Sequence, residues 1–254
     1  MFTNGLVSVS FRPNTPKEIC RAASAAGLHL IEWGSDVHAK IDDRPRLAEI
    51  VKLQSEHGIA CSSYGSYFRL GTDSIDALKG YIDAAHILGT NIIRVWCGDR
   101  SCDKYNERER DALISDCIAA AEIAKGEGVT LCTECHRDSF TETKDGLLDL
   151  MKSVNSPSFL TYWQPNQFRS VEENLEYAKL AAPYTVKIHV FNWKGEDHLP
   201  LEGAIETWQS YLACFDGSQD LLLEFMPHGT LDELPREADA LRAICEKFTI
   251  GGSM

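Results

Sequence analysis

Four segments in the second half of this chain end in side chains able to grip a divalent cation: Cys132-Thr133-Glu134, Tyr162-Trp163-Gln164, Lys187-Ile188-His189 and Leu223-Glu224. The successive intervals from Glu134 to Gln164, from Gln164 to His189 and from His189 to Glu224 are 30, 25 and 35 residues. Each interval is about one strand-plus-helix unit, so the four side chains are expected to meet at one end of a barrel. Two carboxylates, an imidazole and an amide oxygen suit Mn²⁺, Mg²⁺, Co²⁺ or Zn²⁺. The expected protein is therefore an enzyme.

The elements that must position these groups recur along the whole chain. Short apolar strands are predicted over 6–11, 28–33, 59–64, 91–96, 129–134, 159–164, 185–190 and 221–225. Amphipathic helices are predicted over 16–26, 46–57, 75–88, 107–125, 144–154, 171–181, 204–215 and 234–248. Gly27, Gly58, Gly89 and Gly128 follow last helical turns, where a left-handed cap favours glycine. Thr15-Pro16, Asp73-Ser74 and Ser170 are good helix starts. Eight alternating units imply a parallel sheet, because each return crosses over through a helix. Units of roughly 30 residues point to a single closed (β/α)8 TIM barrel over 1–250 rather than an open doubly wound sheet. Residues 251–254 read as a frayed tail.

Composition narrows the function. The chain has 254 residues, with 25 basic and 38 acidic side chains and a net charge of −13, which disfavours a polyanionic partner such as nucleic acid. With no signal-peptide pattern and no membrane-length apolar run, a cytoplasmic protein without a membrane partner is expected. The nine cysteines are odd in number and show no disulfide spacing. Most sit in apolar patterns, as thiols do in a reducing compartment. Cys132 and Cys135 make a C-x-x-C, but within a strand, where redox and zinc motifs are not built.

Aromatic residues gather at the expected strand ends. Trp33, Trp96, Trp163 and Trp193 fall there, with Tyr64, Tyr67, Phe68, Phe191 and Phe225. Such rings, with polar groups between them, would make a sugar or polyol pocket, or else a plug closing the barrel mouth. By strand parity Glu134 and His136 share a face, as do Lys187 and His189, and Glu32 and Arg94 can point inward as an ion pair. Buried carboxylates need cationic partners, and Glu134 and Glu224 would find one in a metal. His136 is a candidate substrate contact beside Glu134. His38, His198 and His228 lie just past strand ends. The Gln164-Pro165-Asn166-Gln167 turn offers amides to substrate hydroxyls. No Gly-rich phosphate cradle is visible, and Arg137 and Lys194 are the cations to hold an anionic group if the substrate has one.

Ile31-Glu32-Trp33, Thr133-Glu134-Cys135-His136, Ile188-His189-Val190 and Leu223-Glu224-Phe225 together resemble the xylose-isomerase-like barrels grouped as sugar-phosphate isomerases/epimerases. The resemblance spans nearly the whole chain. It implies metal ligation by Glu134, Gln164, His189 and Glu224, with the two glutamates as acid and base. Gln164 departs from the pattern, since the family usually has Asp there. Its amide oxygen can ligate without charge, so metal affinity should be lower. The substrate-binding set expected from these readings is His136, Trp33, Trp96, Trp163, Trp193, Tyr64, Arg94, Arg137 and Lys187.

The implied chemistry is proton transfer beside a carbonyl, giving an isomerase or epimerase of a sugar or polyol. A dehydratase acting on a keto-sugar or inosose would share the same intermediate. An endonuclease-like phosphodiesterase, which needs a fuller metal cluster and a basic groove, is the contrasting class. So is a non-catalytic partner subunit that keeps the barrel and loses the metal. A homo-oligomer is compatible with the sequence, though no interface is marked.

Overall fold

The computed structural model describes residues 2–249. Eight parallel strands close into a barrel: β1 (Thr3–Val7), β2 (Leu30–Gly34), β3 (Ala60–Leu70), β4 (Ile92–Cys97), β5 (Thr130–Glu134), β6 (Phe159–Trp163), β7 (Thr185–Val190) and β8 (Asp220–Leu223). Closure comes from β1 beside β8, with Leu6 opposite Leu223. Helices α1 (Pro16–Ala25), α2 (Arg44–His57), α3 (Leu78–Leu88), α4 (Glu107–Gly126), α5 (Lys144–Val154), α6 (Val171–Ala181), α7 (Ile205–Leu212) and α8 (Leu234–Thr249) follow the strands in turn. The expected (β/α)8 barrel is present. The tail at 251–254 lies outside the described residues. Among the described residues, no helix is long and apolar enough to cross a membrane.

Local chemistry sets the helix limits. Thr15, Asn106 and Ser170 cap α1, α4 and α6, each in a reciprocal box with a glutamate three residues on. Gly58 and Gly89 close α2 and α3 in the left-handed conformation.

Two expected elements differ, and one appears that was not expected. β1 stops at Val7, and Ser8–Phe11 turns into a 3-10 helix. Ser8 and Ser10 there use their hydroxyls to take backbone N–H groups from Gly34 and Phe225, a task an extended strand would not leave them. β3 runs on to Leu70, because its register against β4 shifts between Gly65 and Arg69 and pairing resumes beyond. After β7 a small antiparallel hairpin pairs Trp193–Lys194 with Asp197–His198.

The apolar mass divides in two. A large cluster lies between sheet and helices and contains Leu6, Ile31, Trp33, Tyr64, Ile93, Val95, Leu131, Trp163, Ile188, Leu221 and Leu223. A small one, Val7, Val9 and Leu222 with Leu30 and Phe225 against it, lines one side of the barrel interior. The remaining interior is polar, and Glu32, Ser63, Arg94, Glu134 and His189 are all buried. No disulfide joins the nine cysteines among the described residues, in line with their spacing.

At Gly5 the neighbouring strands β2 and β8 approach β1 closely. A Cβ there would lie 2.5 Å from the Leu30 carbonyl oxygen and 2.9 Å from Leu222 Cδ2. Gly5→Ala should therefore destabilise the protein by about 1–3 kcal/mol, the usual cost of overpacking. Urea unfolding at matched m-value checks this, and an unchanged midpoint would show that the closure can relax.

Candidate active site

Each of the four candidate ligands stands at a C-terminal strand end. Glu134 is the last residue of β5 and His189 the penultimate residue of β7. Gln164 and Glu224 come one residue after β6 and β8. Their side chains share the inward parity of Arg94, Cys132, Tyr162, Lys187 and Leu222. Just after Glu224, Phe225 takes a left-handed φ of 46°, unusual for a bulky residue. Its N–H donates to Ser10 Oγ at 2.8 Å and its carbonyl accepts from Trp193 Nε1 at 3.2 Å, so the turn that aims Glu224 is held from both sides.

His189 Nδ1 is the focus. It lies 3.1 Å from Glu134 Oε1, 3.1 Å from Gln164 Oε1 and 3.5 Å from Glu224 Oε2. One N–H can serve only one of three oxygens. A first-row divalent ion, with bonds of about 2.0–2.2 Å, holds neighbouring donors roughly 3.0–3.5 Å apart. The donor set therefore fits such an ion in spacing, and Glu134 and Glu224 fit it in charge. Within the described residues, Glu134, His189 and Glu224 form a group whose ligand atoms all lie within 4.8 Å of one another.

Beneath this set runs a chain of charges. Arg94 Nη1 donates to Glu134 Oε2, which also accepts from Trp96 Nε1 at 2.6 Å. Arg94 Nε lies 3.0 Å from Glu32 Oε1, the ion pair the sequence suggested. The other Glu32 oxygen accepts from Ser63 Oγ at 2.9 Å and lies 3.7 Å from His189 Nε2.

This environment separates the two glutamates. Burial pushes both carboxyls up. For Glu134 the Arg94 guanidinium and His189 overcome burial and hold it well below the usual range. For Glu224 burial wins, aided by repulsion from Glu134, and its pKa is raised. Burial lowers the basicity of His189, but Glu224, Glu134 and Glu32 outweigh it and push the pKa up to about 10.

Above these groups opens a cavity of about 300 Å³. Of the expected contacts, Arg94, Trp96, His136, Arg137 and Trp193 line it, beside Glu134, Gln164 and Glu224. His136 stacks on Trp96 with centroids 4.7 Å apart, and its Nδ1–H donates to the Arg137 carbonyl. Four expected contacts are not there. Trp33, Tyr64 and Trp163 have the opposite strand parity and face the helices. Trp33 Nε1 donates to Gln54 Oε1, Tyr64 OH to the Ala39 carbonyl, and Trp163 packs on Trp208 and Tyr211. Lys187 points inward but lies two residues, about 6–7 Å, below His189. There it pairs with Asp220. His38 is fixed structurally, with Nε2 donating to the Asn14 carbonyl and Nδ1 bonded to Ser8 Oγ.

The lining also includes residues outside that contact set. Tyr67, Phe191 and Phe225 are aromatics at strand ends, and Asn166 and Gln167 belong to the amide-bearing turn. Cys135 was notable only for its C-x-x-C and its place beside Glu134, and Val9 and Glu196 carried no signal. Glu196 arrives on the hairpin after β7 and lies 4.0 Å from Arg137.

A closed eight-stranded parallel barrel with an acidic and imidazole cluster at its C-terminal mouth defines a class, and sequence comparison places the chain within it. The family model described as xylose isomerase-like TIM barrel matches residues 20–219, and the chain belongs to this family. No curated protein matches it in sequence. Among solved structures it resembles the probable 3-DHS dehydratase AsbF of Bacillus anthracis, involved in petrobactin synthesis, with TM-score 0.78, 15% identity and coverage of 95% of this chain and 99% of that one. An L-ribulose 3-epimerase gives 0.74 at 14% identity, covering 100% and 99%. A xylose isomerase-like barrel protein from Mycobacterium smegmatis in complex with magnesium gives 0.70 at 13%, covering 97% of each chain.

The His189 shift has a consequence for stability. A pKa raised from 6.5 to about 10 stabilises the folded state fully below the unfolded pKa, and that contribution is lost as pH rises through about 10. Metal-free protein should therefore lose stability between pH 7 and 10, and His189→Asn should flatten that slope. Chelator-treated samples melted across this range test it, and identical slopes for both proteins would contradict it.

Proposed function

We propose that this protein is a sugar or polyol isomerase or epimerase that moves a proton beside a carbonyl by means of its two buried glutamates. One observation carries the proposal: Glu134 and Glu224 flank the same cavity with their proton affinities displaced in opposite directions. Such a split is how two carboxyls take different roles. Glu134, tied down by Arg94 and Trp96, stays ionised. Among the described residues Glu224 enters an ion pair only with His189, and its raised basicity suits it to taking the C–H proton and giving one back.

The walls fit a polyhydroxylated substrate. Tyr67, Phe191 and Trp193 offer aromatic surface to C–H groups, while Gln164, Asn166 and Gln167 offer amides to hydroxyls. A cavity of about 300 Å³ is at the small end for ligand sites, which run roughly from 300 to 1,000 Å³, and so suits one sugar ring. Glu134, Gln164, His189 and Glu224 would hold a divalent ion, whose Lewis acidity supplies stabilisation for developing enediolate charge. Arg137, half exposed at the rim, is the cation for an anionic substituent.

Dehydration of a keto-sugar or inosose is the second reading, favoured by His136. With Nδ1–H committed to the Arg137 carbonyl, its Nε2 is left to carry, in the protonated ring, the proton that a departing hydroxyl takes to leave as water. A multi-metal phosphodiesterase finds less support, because one group of three convergent ligands is present among the described residues and the net charge is −13.

A panel of ketoses, inososes and 3-keto-glycosides in D₂O with Mn²⁺ separates these possibilities. Deuterium at a carbon beside the carbonyl of a saturated product supports isomerase chemistry, whereas water loss to an unsaturated product supports the lyase. No turnover of any member counts against both. Glu224→Gln should lower exchange by about 10²–10⁴-fold, the usual share of a general base, with an unchanged circular dichroism spectrum. Full retention of exchange would remove Glu224 from the reaction.

A further inference from the structure

Glu32 and Arg94 form a buried ion pair of which Arg94 alone lines the cavity, and the pair needs an explanation beyond charge neutrality. They sit on a purpose-shaped seat. Gly34 of β2, Gly65 of β3 and Arg94 of β4 lie in register, and a Cβ on Gly65 would come 2.6 Å from Glu32 Oε1 and 3.2 Å from Arg94 Nη2. Only the missing side chain lets the pair occupy that space. From this seat the two residues reach different candidate ligands. Arg94, with Trp96, takes Glu134 Oε2 and leaves Oε1 facing His189. Glu32 Oε2 is the carboxylate oxygen beside His189 Nε2, at 3.7 Å, and that nitrogen has no hydrogen-bond partner of its own.

We propose that Glu32 and Arg94 are positioning residues that fix how the two flanking ligands present themselves to a divalent ion. Glu32 holds the Nε2–H tautomer of His189, so that Nδ1 carries the lone pair toward Glu134, Gln164 and Glu224. Arg94 makes Glu134 a one-oxygen ligand through Oε1. A carboxylate behind a ligating imidazole orients the ring and strengthens it as a donor, and loss of such partners typically weakens metal affinity about 10–100-fold. The inference rests on the metal-binding reading above and adds which atoms bind and what aims them.

The test uses the full chain, with Mn²⁺ and Zn²⁺ as probes. Calorimetric titration should show affinity about 10–100-fold weaker in Glu32→Gln. The double variant Glu32→Gln/Arg94→Met removes one charge of each sign but leaves Glu134 without its guanidinium, so it should bind metal at least as weakly as Glu32→Gln. Wild-type affinity in the double variant would mean that the pair is only structural, and would overturn the proposal. In zinc-loaded wild-type protein labelled with ¹⁵N-histidine, His189 should show a proton on Nε2 and a zinc-shifted Nδ1. A zinc-shifted Nε2 overturns the proposal without any variant. Wild-type protein that binds neither ion overturns the metal reading and this assignment together, whereas wild-type binding undiminished in Glu32→Gln overturns the assignment alone. Gly65→Ala, which alters no charge, should weaken binding in the same direction.

Discussion

Five charged side chains crowd together near the mouth of one barrel, and their mutual attraction governs the rest of the site. Glu32, Glu134 and Glu224 stand against Arg94 and His189, all of them buried. An isolated charge in such a place would cost many kcal/mol, and even a paired one must be well hydrogen-bonded to break even. The interior therefore cannot be rearranged one residue at a time. Arg94 is shared by Glu32 and Glu134, and His189 by all three acids, so losing either cation leaves more than one carboxylate without its partner. The high basicity of His189 without a metal, the depressed pKa of Glu134 and the raised one of Glu224 all follow from this single arrangement.

Much of the architecture was legible in the sequence because its signals are local. Glycine caps, N-terminal boxes and apolar periodicity are short-range, and eight repeats of them leave few topologies open. The convergence of Glu134, Gln164, His189 and Glu224 was also accessible, since one unit of spacing carries each to the same barrel end. Strand parity would have sorted the tryptophans too. Trp33 adjoins Glu32 and Trp163 adjoins both Tyr162 and Gln164, so rings and polar groups cannot share a face. Their placement at the mouth followed from position along the strand without regard to side.

Other features depended on distant partners. Lys187 has the correct parity but the wrong depth, and only register against Asp220 reveals its engagement below the site. The length of β3 is set by a pairing shift that neither strand encodes alone. Glu196 reaches the rim through a hairpin of two-residue strands, too short to leave a periodic trace. The roles of Ser8 and Ser10 likewise come from backbone groups of other units.

The separation of the apolar shell from the polar lumen has a consequence for substitution. Between sheet and helices the demand is for greasy volume, which many combinations of leucine, isoleucine, valine and alanine supply. The inward-facing charges are tied to one another and offer no such latitude. A barrel of this shape need therefore share little sequence with another: those that superpose on this one at TM-scores of 0.70–0.78 over nearly their full lengths are 13–15% identical to it, and their names include a probable dehydratase and an epimerase.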